Sequence, residues 1–191
     1  SLAFRAFFSI LDLNRFKNAN GLHTNALYSF HRMFKSILDS EKPTHVLVAW
    51  DAGKTTFRTE MYADYKGGRS KTPGEFIEQM PYFNVLLDAW GIPHYRLNQY
   101  EADDIIGTLA KQGEAAGYEV VVLSGDKDLI QLADKNITVK ITTKGVTELV
   151  EYTPEVIFEK YGLTPEQIID MKGLMGDSSD NYPGVTKVGE K

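Results

Sequence analysis

Two runs of β-branched and apolar residues, "THVLVAWD" and "YEVVVLSGDKD", each break off in acid, and amphipathic helical patterns stand before, between and after them. Strands alternating with helices fold into an α/β architecture around a largely parallel sheet. In open sheets of that kind ligands sit beyond the carboxyl ends of the strands. Asp51, Asp126 and Asp128 therefore fall where a site is expected.

The helical segments are read from their spacing. Leu27, Phe30, Phe34, Ile37 and Leu38 share a face over about 25–40, and Phe76, Met80, Phe83, Leu86 and Leu87 do so over about 75–90. Ala102, Ile105, Ile106, Leu109 and Ala110 form a stripe on a third helix, facing a core. "TPEVIFEKYG" and "TPEQIIDMKG" each open with Thr at the N-cap and Pro at the first helical position. "IPHYRL" reads as a short strand and "NITVKITTKGVTELVEY" as a hairpin. With 191 residues the chain makes one domain, or one domain with an appendage.

The third helix opens on Glu101, Asp103 and Asp104. One acid in a first turn is favoured by the free amides and the helix dipole, by roughly 0.3–1 kcal/mol. Three repel one another unless a positive charge sits among them, so helix capping and metal ligation both remain open at this point. Asp177 and Asp180, in "GDSSD", bring the carboxylates at the predicted strand and helix ends to eight. Each group alone has a local reading as a turn residue. Together they are tolerable where bound cations offset their repulsion. Oxygen ligands without His or Cys select Mg²⁺ or Mn²⁺ over zinc. The chain has no cysteine, and His23, His31, His45 and His94 are scattered without ligand spacing. Two such ions suit phosphoryl chemistry.

Between Asp51 and the second helix runs a basic connector without sustained periodicity. Lys54, Arg58, Lys66, Arg69 and Lys71 interleave with Phe57, Tyr62 and Tyr65. Cations neutralise phosphates, and aromatics stack on unpaired bases for roughly 1–3 kcal/mol each; a solvated loop is the alternative. Near the end, Gly184, Val185, Val188 and Gly189 lie in two closely spaced turns whose backbone amides could approach a phosphate. A net charge of −5 argues against a uniformly basic nucleic-acid binder but not against a local basic patch. No apolar run approaches the roughly 18 residues a membrane span requires, and cysteine-free composition fits the cytoplasm.

The motifs "FRAFF", "WDAGKTTFR", "YKGGRSKTP", "YEADDIIGTLA", "SGDKDLIQL" and "GLMGDSSDNYPGVTKVGEK" occur in one order along the whole chain. In these it resembles the 5′ nuclease (flap endonuclease) domain at the N-terminus of bacterial DNA polymerase I. The resemblance implies a PIN/5′-nuclease-like fold with a nuclease core over 1–152, an arch at about 53–75, and a helical DNA-binding region over 153–191. It implies a Mg²⁺-dependent 5′–3′ exonuclease and flap endonuclease acting on branched or nicked duplex DNA with a free 5′ end and on RNA primers. The first metal group would be Asp51, Glu101, Asp103 and Asp104, and the second Asp126, Asp128, Asp177 and Asp180. Lys66 and Arg69 match the basic pair at the base of a helical arch, and Arg58 and Arg5 match phosphate-contacting arginines. DNA contacts are expected from Lys54, Tyr65, Lys71, Gly184, Val185, Lys187, Gly189 and Lys191, the last five in the first part of a helix–hairpin–helix element that often holds a monovalent cation such as K⁺.

The resemblance further implies that the connector becomes partly helical on substrate, that an Asp precedes Ser1, and that a second helix follows Lys191. Both ends thus read as cut, a polymerase domain is expected after the parent's nuclease domain, and the chain alone is expected to be a monomer of weak or no activity. A non-catalytic DNA-junction binder is the competing reading. A phosphoaspartyl phosphatase fits less well, because Leu129 and Ile130 follow "DKD", and single-domain RNA-cleaving relatives lack the C-terminal clamp.

Overall fold

A computed structural model of the chain describes residues 1–53, 55–143 and 148–189. The helices are α1 (Leu2–Phe8), α2 (Asn25–Glu41), α3 (Phe57–Met61), α4 (Gly74–Ile77), α5 (Met80–Ala89), α6 (Ala102–Ala115), α7 (Pro154–Tyr161) and α8 (Pro165–Met175). The strands are β1 (Val48–Ala49), β2 (His94–Tyr95), β3 (Val120–Ser124), β4 (Ile137–Thr142), β5 (Leu149–Tyr152), β6 (Gly176–Asp177) and β7 (Tyr182–Pro183). β1 pairs with β2 in parallel, with Val48 opposite His94. β3 pairs with β4 in parallel and β4 with β5 antiparallel, so the expected hairpin forms. β6 and β7 make a separate antiparallel ribbon. The α/β expectation holds, with the pairing divided among small sheets rather than carried by one broad one.

Apolar residues assemble into two cores. Ala26, Phe30, Met33 and Phe34 of α2 meet Phe83 and Leu87 of α5 and Ala3, Ala6 and Phe7 of α1. Val122, Val139 and Ile141 of β3 and β4 meet Ala110, Ile157 and Ile168 of α6, α7 and α8. Lys140 ties the β4–β5 hairpin to the end of α2: its Nζ lies 2.6 Å from Glu41 Oε1 and 2.7 Å from Glu151 Oε1.

Two sequence expectations need correction. The apolar face over 75–90 is not one helix; it breaks between Ile77 and Met80. Pro81 has no N–H to donate to Ile77, so the ladder must restart there. The break lets fully buried Gln79 act as a staple, its Oε1 accepting from Ala26 N (3.0 Å) and its Nε2 donating to Asn25 Oδ1 (2.9 Å). On α6, Ile105 and Ala110 are buried as expected, but Leu109 is 41% exposed and lies off the core-facing stripe.

The capping expectations for α7 and α8 hold. Thr153 Oγ1 accepts from Val156 N, and Thr164 Oγ1 accepts from Gln167 N while Gln167 Oε1 accepts from Thr164 N. No helix among the described residues is long and apolar enough to cross a membrane.

Candidate functional site

The acids that open α6 divide their work. Asp104 Oδ2 accepts from Glu101 N (2.9 Å), capping the helix, and both its oxygens accept from the Arg58 guanidinium (2.7 and 2.8 Å). That pairing holds Asp104 below the usual carboxylate range. Glu101 sits at the N-cap, buried, with Oε1 2.7 Å from Lys66 Nζ and Oε2 accepting from Tyr65 Oη (3.1 Å). Asp51, just past β1, accepts from Ala102 N (2.8 Å). Asp103 is the odd one out: burial, then the negative charge of Asp126, pushes its carboxyl up to about 6. Capping explains Asp104 and Asp51; it leaves Asp103 carrying a charge that its surroundings disfavour.

The connector folds back onto these acids. Of the expected arch, Phe57–Met61 is helical, whereas residues 62–73 run as turns and irregular chain. Lys66 adopts φ 57, a left-handed conformation that costs a non-glycine residue about 1 kcal/mol or more, and its N–H donates to Asp180 O (2.9 Å). Arg69 pairs with Asp180 Oδ1, and Tyr65 Oη bridges Glu101 and Asp180 Oδ2 (3.3 Å). Burial and these two acids drive the Tyr65 phenol well above its ordinary range. Asn181 Nδ2 donates to Asp64 O (2.9 Å), so the turn over 64–69 is docked on the turn between β6 and β7.

The loop after β3 brings in the second set. Asp126 Oδ1 accepts from Asp128 N (2.9 Å), the local turn that the sequence allowed. Lys172, on α8, reaches Asp128 Oδ1 at 2.7 Å and Asp177 Oδ2 at 2.6 Å. Burial disfavours the Lys172 charge, but its bonds to the two acids outweigh that and hold it above the usual lysine range. Asp177 Oδ1 accepts from Ser179 N and Oγ, and with Lys172 this keeps Asp177 low despite its desolvation. Asp128 is raised by burial and by Asp126, against the pull of Lys172. Lys172 was not singled out in the sequence; its one signal is its position on the helix five residues ahead of Asp177.

The eight acids are thus gathered at strand and helix ends, with contacts that cross the expected division: Asp180 shares Tyr65 with Glu101, and Asp103 feels Asp126 most among its charged neighbours. Among the described residues no group of three or more acids or histidines is positioned to hold a metal ion. The donor chemistry nevertheless fits a hard divalent cation. Every candidate ligand is a carboxylate oxygen, and Asp103 and Asp128 are raised by burial and by neighbouring charge that a bound cation would relieve.

Arg5 lies beside this site in a supporting posture. Its Nη2 donates to Gly125 O (2.7 Å) and its Nη1 to Thr143 O (3.3 Å). A Cβ on Gly125 would sit 2.3 Å from Arg5 Nε, so a side chain there would push the guanidinium off the loop that carries Asp126. Lys71 is exposed. Gly184 packs backbone to backbone, a Cβ there falling 2.2 Å from Met175 C. Val185 N donates to Leu174 O (2.7 Å) and Val188 N to Val185 O (3.0 Å), so these amides are occupied by the turn itself. Lys187 and Gly189 are exposed, Lys187 at φ 71, so the turn forms with lysine in the left-handed position. Lys54 and Lys191 lie outside the described residues.

A family model described as "5′-3′ exonuclease, N-terminal resolvase-like domain" matches residues 1–162, and a second, "5′-3′ exonuclease, C-terminal SAM fold", matches 163–191. The chain belongs to the 5′–3′ exonuclease family. It is 62% identical to DNA polymerase I of Lactococcus lactis subsp. cremoris and 63% identical to that of Bacillus subtilis, over 100% of its own length. It spans only about a fifth (21–22%) of those relatives' length.

Among solved structures, this chain is similar to the bacteriophage T5 D15 flap endonuclease, described as a complex with DNA and metal ions. The TM-score is 0.70 at 27% identity, over 93% of this chain and 68% of that one. The catalytic core of Rad2 shares the fold, at TM-score 0.57 and 19% identity over 99% of this chain and 56% of that one. The PIN/5′-nuclease-like fold expected from the resemblance is therefore present, and the family model describes it as resolvase-like.

Proposed function

We propose that the chain is the catalytic part of a structure-specific 5′ nuclease that hydrolyses phosphodiester bonds at 5′ flaps, nicks and RNA primers during DNA replication and repair. The observation that carries this reading is the meeting of Arg58, Lys66 and Arg69 with Glu101, Asp104 and Asp180. Cations that would steady a phosphate are stationed against acids that would hold Mg²⁺ or Mn²⁺. The family match and the likeness to a flap endonuclease described with DNA and metal ions support it.

Held by Asp51, Glu101, Asp103 and Asp104 and by Asp126, Asp128, Asp177 and Asp180, two divalent ions would supply an activated water and a stabilised leaving oxygen. Lys66 and Arg69 offset charge on the scissile phosphate, Arg58 holds Asp104 and is released to a flanking phosphate, and Arg5 positions the Asp126 loop. The connector becomes partly helical as a 5′ strand displaces its cations from the acids. Exposed Lys187 and Gly189, with the β6–β7 ribbon, face the duplex backbone, where K⁺ would assist. In the parent protein a polymerase domain follows, and the nuclease acts as a monomer.

The test is Asp126→Asn in the complete domain, assayed for Mg²⁺-dependent cleavage of a 5′-flap substrate. A loss of at least a hundredfold is expected; an unchanged rate overturns the assignment. A second reading, a DNA-junction binder without catalysis, is favoured by the internal neutralisation of the acids by lysine and arginine. Flap binding in EDTA with no cleavage in Mg²⁺ by the complete domain would select it.

A further inference from the structure

Beside Asp51 lies a cleft of about 320 Å³ lined by Trp50, Asp51, Met80, Pro81, Asn84 and Arg96. That size lies at the lower end of small-ligand sites, roughly 300–1,000 Å³. Its polar side chains are the Asp51 carboxylate, the Asn84 amide and the Arg96 guanidinium. Trp50 Nε1 is sealed from solvent with no hydrogen-bond acceptor among the described residues, so it is the indole ring that borders the cleft. Arg96, just past β2, is exposed and makes no ion pair with the described acids, and Asn84 presents a side-chain amide from α5. Met80, Pro81 and the Trp50 ring supply apolar wall. A guanidinium and an amide beside an apolar wall that includes the Trp50 ring suit a ligand that is anionic at one end and flat at the other.

We infer that this cleft binds one nucleoside 5′-monophosphate unit, with Arg96 on the phosphate and Trp50 and Asn84 on the base or sugar. The inference rests on the nuclease reading above, because Asp51 forms the wall shared with the acidic site and a 5′-mononucleotide is what a 5′ nuclease leaves. It adds a product or terminal-nucleotide subsite to that site, built from Trp50, Asn84 and Arg96, none of which belongs to the acidic cluster.

The experiment is a titration in EDTA, read on the indole N–H resonance of Trp50, which a Trp50→Phe spectrum distinguishes from that of Trp90. Thymidine 5′-monophosphate should shift this resonance saturably, binding at least tenfold more tightly than thymidine or inorganic phosphate. Arg96→Gln should weaken it tenfold or more, and Arg96→Lys should recover part of the loss. Each variant's remaining spectrum and melting curve show that it is folded. Equal affinity for inorganic phosphate, no shift at Trp50, or unchanged affinity in folded Arg96→Gln overturns the proposal. Because neither metal nor cleavage enters the measurement, failure here with Asp126-dependent flap cleavage intact removes the subsite and leaves the nuclease standing.

Discussion

Lys66 Nζ lies 2.7 Å from Glu101 Oε1, so a cation from the connector occupies the acid that caps α6. Lys172 repeats the arrangement between Asp128 and Asp177. The crowded acids are met by lysine and arginine from the connector and from α8. On the proposed reading a metal and a phosphate together would replace those pairings, the metal taking the carboxylates and the phosphate taking the freed cations.

Removing one internal cation should expose that exchange. Lys172→Met leaves Asp128 and Asp177 without their counter-charge, which at this partly exposed position should cost about 1 kcal/mol of stability in EDTA. Millimolar Mn²⁺ should return most of it and should bind the variant more tightly than the parent. Thermal unfolding with and without Mn²⁺ measures both; a variant equally destabilised in either condition would show that Lys172 is only structural.

Asp103 should give the site a pH signature. Its pKa is raised from 3.8 to about 6, so the folded state holds the proton more tightly than the unfolded chain. Its contribution to stability is complete below about pH 4 and is lost as pH rises through about 6. Asp103→Asn removes that loss. The variant should therefore gain stability relative to the parent between pH 4 and 6 in EDTA, hold the gain above, and lose its advantage when Mn²⁺ is present. Chemical denaturation across this pH range tests it.

The β6–β7 ribbon depends on two glycines, Gly176 opposite Pro183 and the neighbouring Gly184, that leave room for its backbones to meet. A Cβ on Gly176 would meet Gly184 N at 2.3 Å, and Gly176 itself has φ 76. Gly184→Ala should open the ribbon at a cost of about 1–3 kcal/mol. Hydrogen exchange at Val185 N–H, now bonded to Leu174 O, should accelerate while amides in β3 and β4 keep their protection.

Lys140→Met should loosen the hairpin from α2. It leaves Glu41 and Glu151 facing each other without their shared cation, a loss of about 1–3 kcal/mol given that Glu151 is largely solvated. Adding Glu41→Gln should recover part of the loss, and urea unfolding of the single and double variants checks the coupling.

Features governed by neighbours in sequence were legible before the structure. The Thr-Pro starts of α7 and α8, the β4–β5 hairpin and the acids at strand ends follow from local capping, turns and period. Contacts made across long sequence separations were not. Pro81 marks where the helix over 75–90 must restart, but only the fold shows that the break seats Gln79 on the start of α2. Nothing near Lys172 in the sequence announces its pairing with Asp128, which needs α8 set against the loop after β3. Arg5 read as a phosphate contact, and its bonds to Gly125 and Thr143 join residues more than a hundred positions away. The Trp50 cleft needed β1, β2 and α5 in register, which no single stretch encodes.

Crystals grown with Mn²⁺ and measured at the manganese absorption edge test the central claim most directly. Anomalous peaks are expected within about 2–2.5 Å of carboxylate oxygens, one touching Asp103 and one touching Asp128 or Asp177, with Lys172 moved away from its two acids. Ordered crystals whose only manganese sits on unrelated surface acids, with Lys66 and Lys172 unmoved, would contradict it.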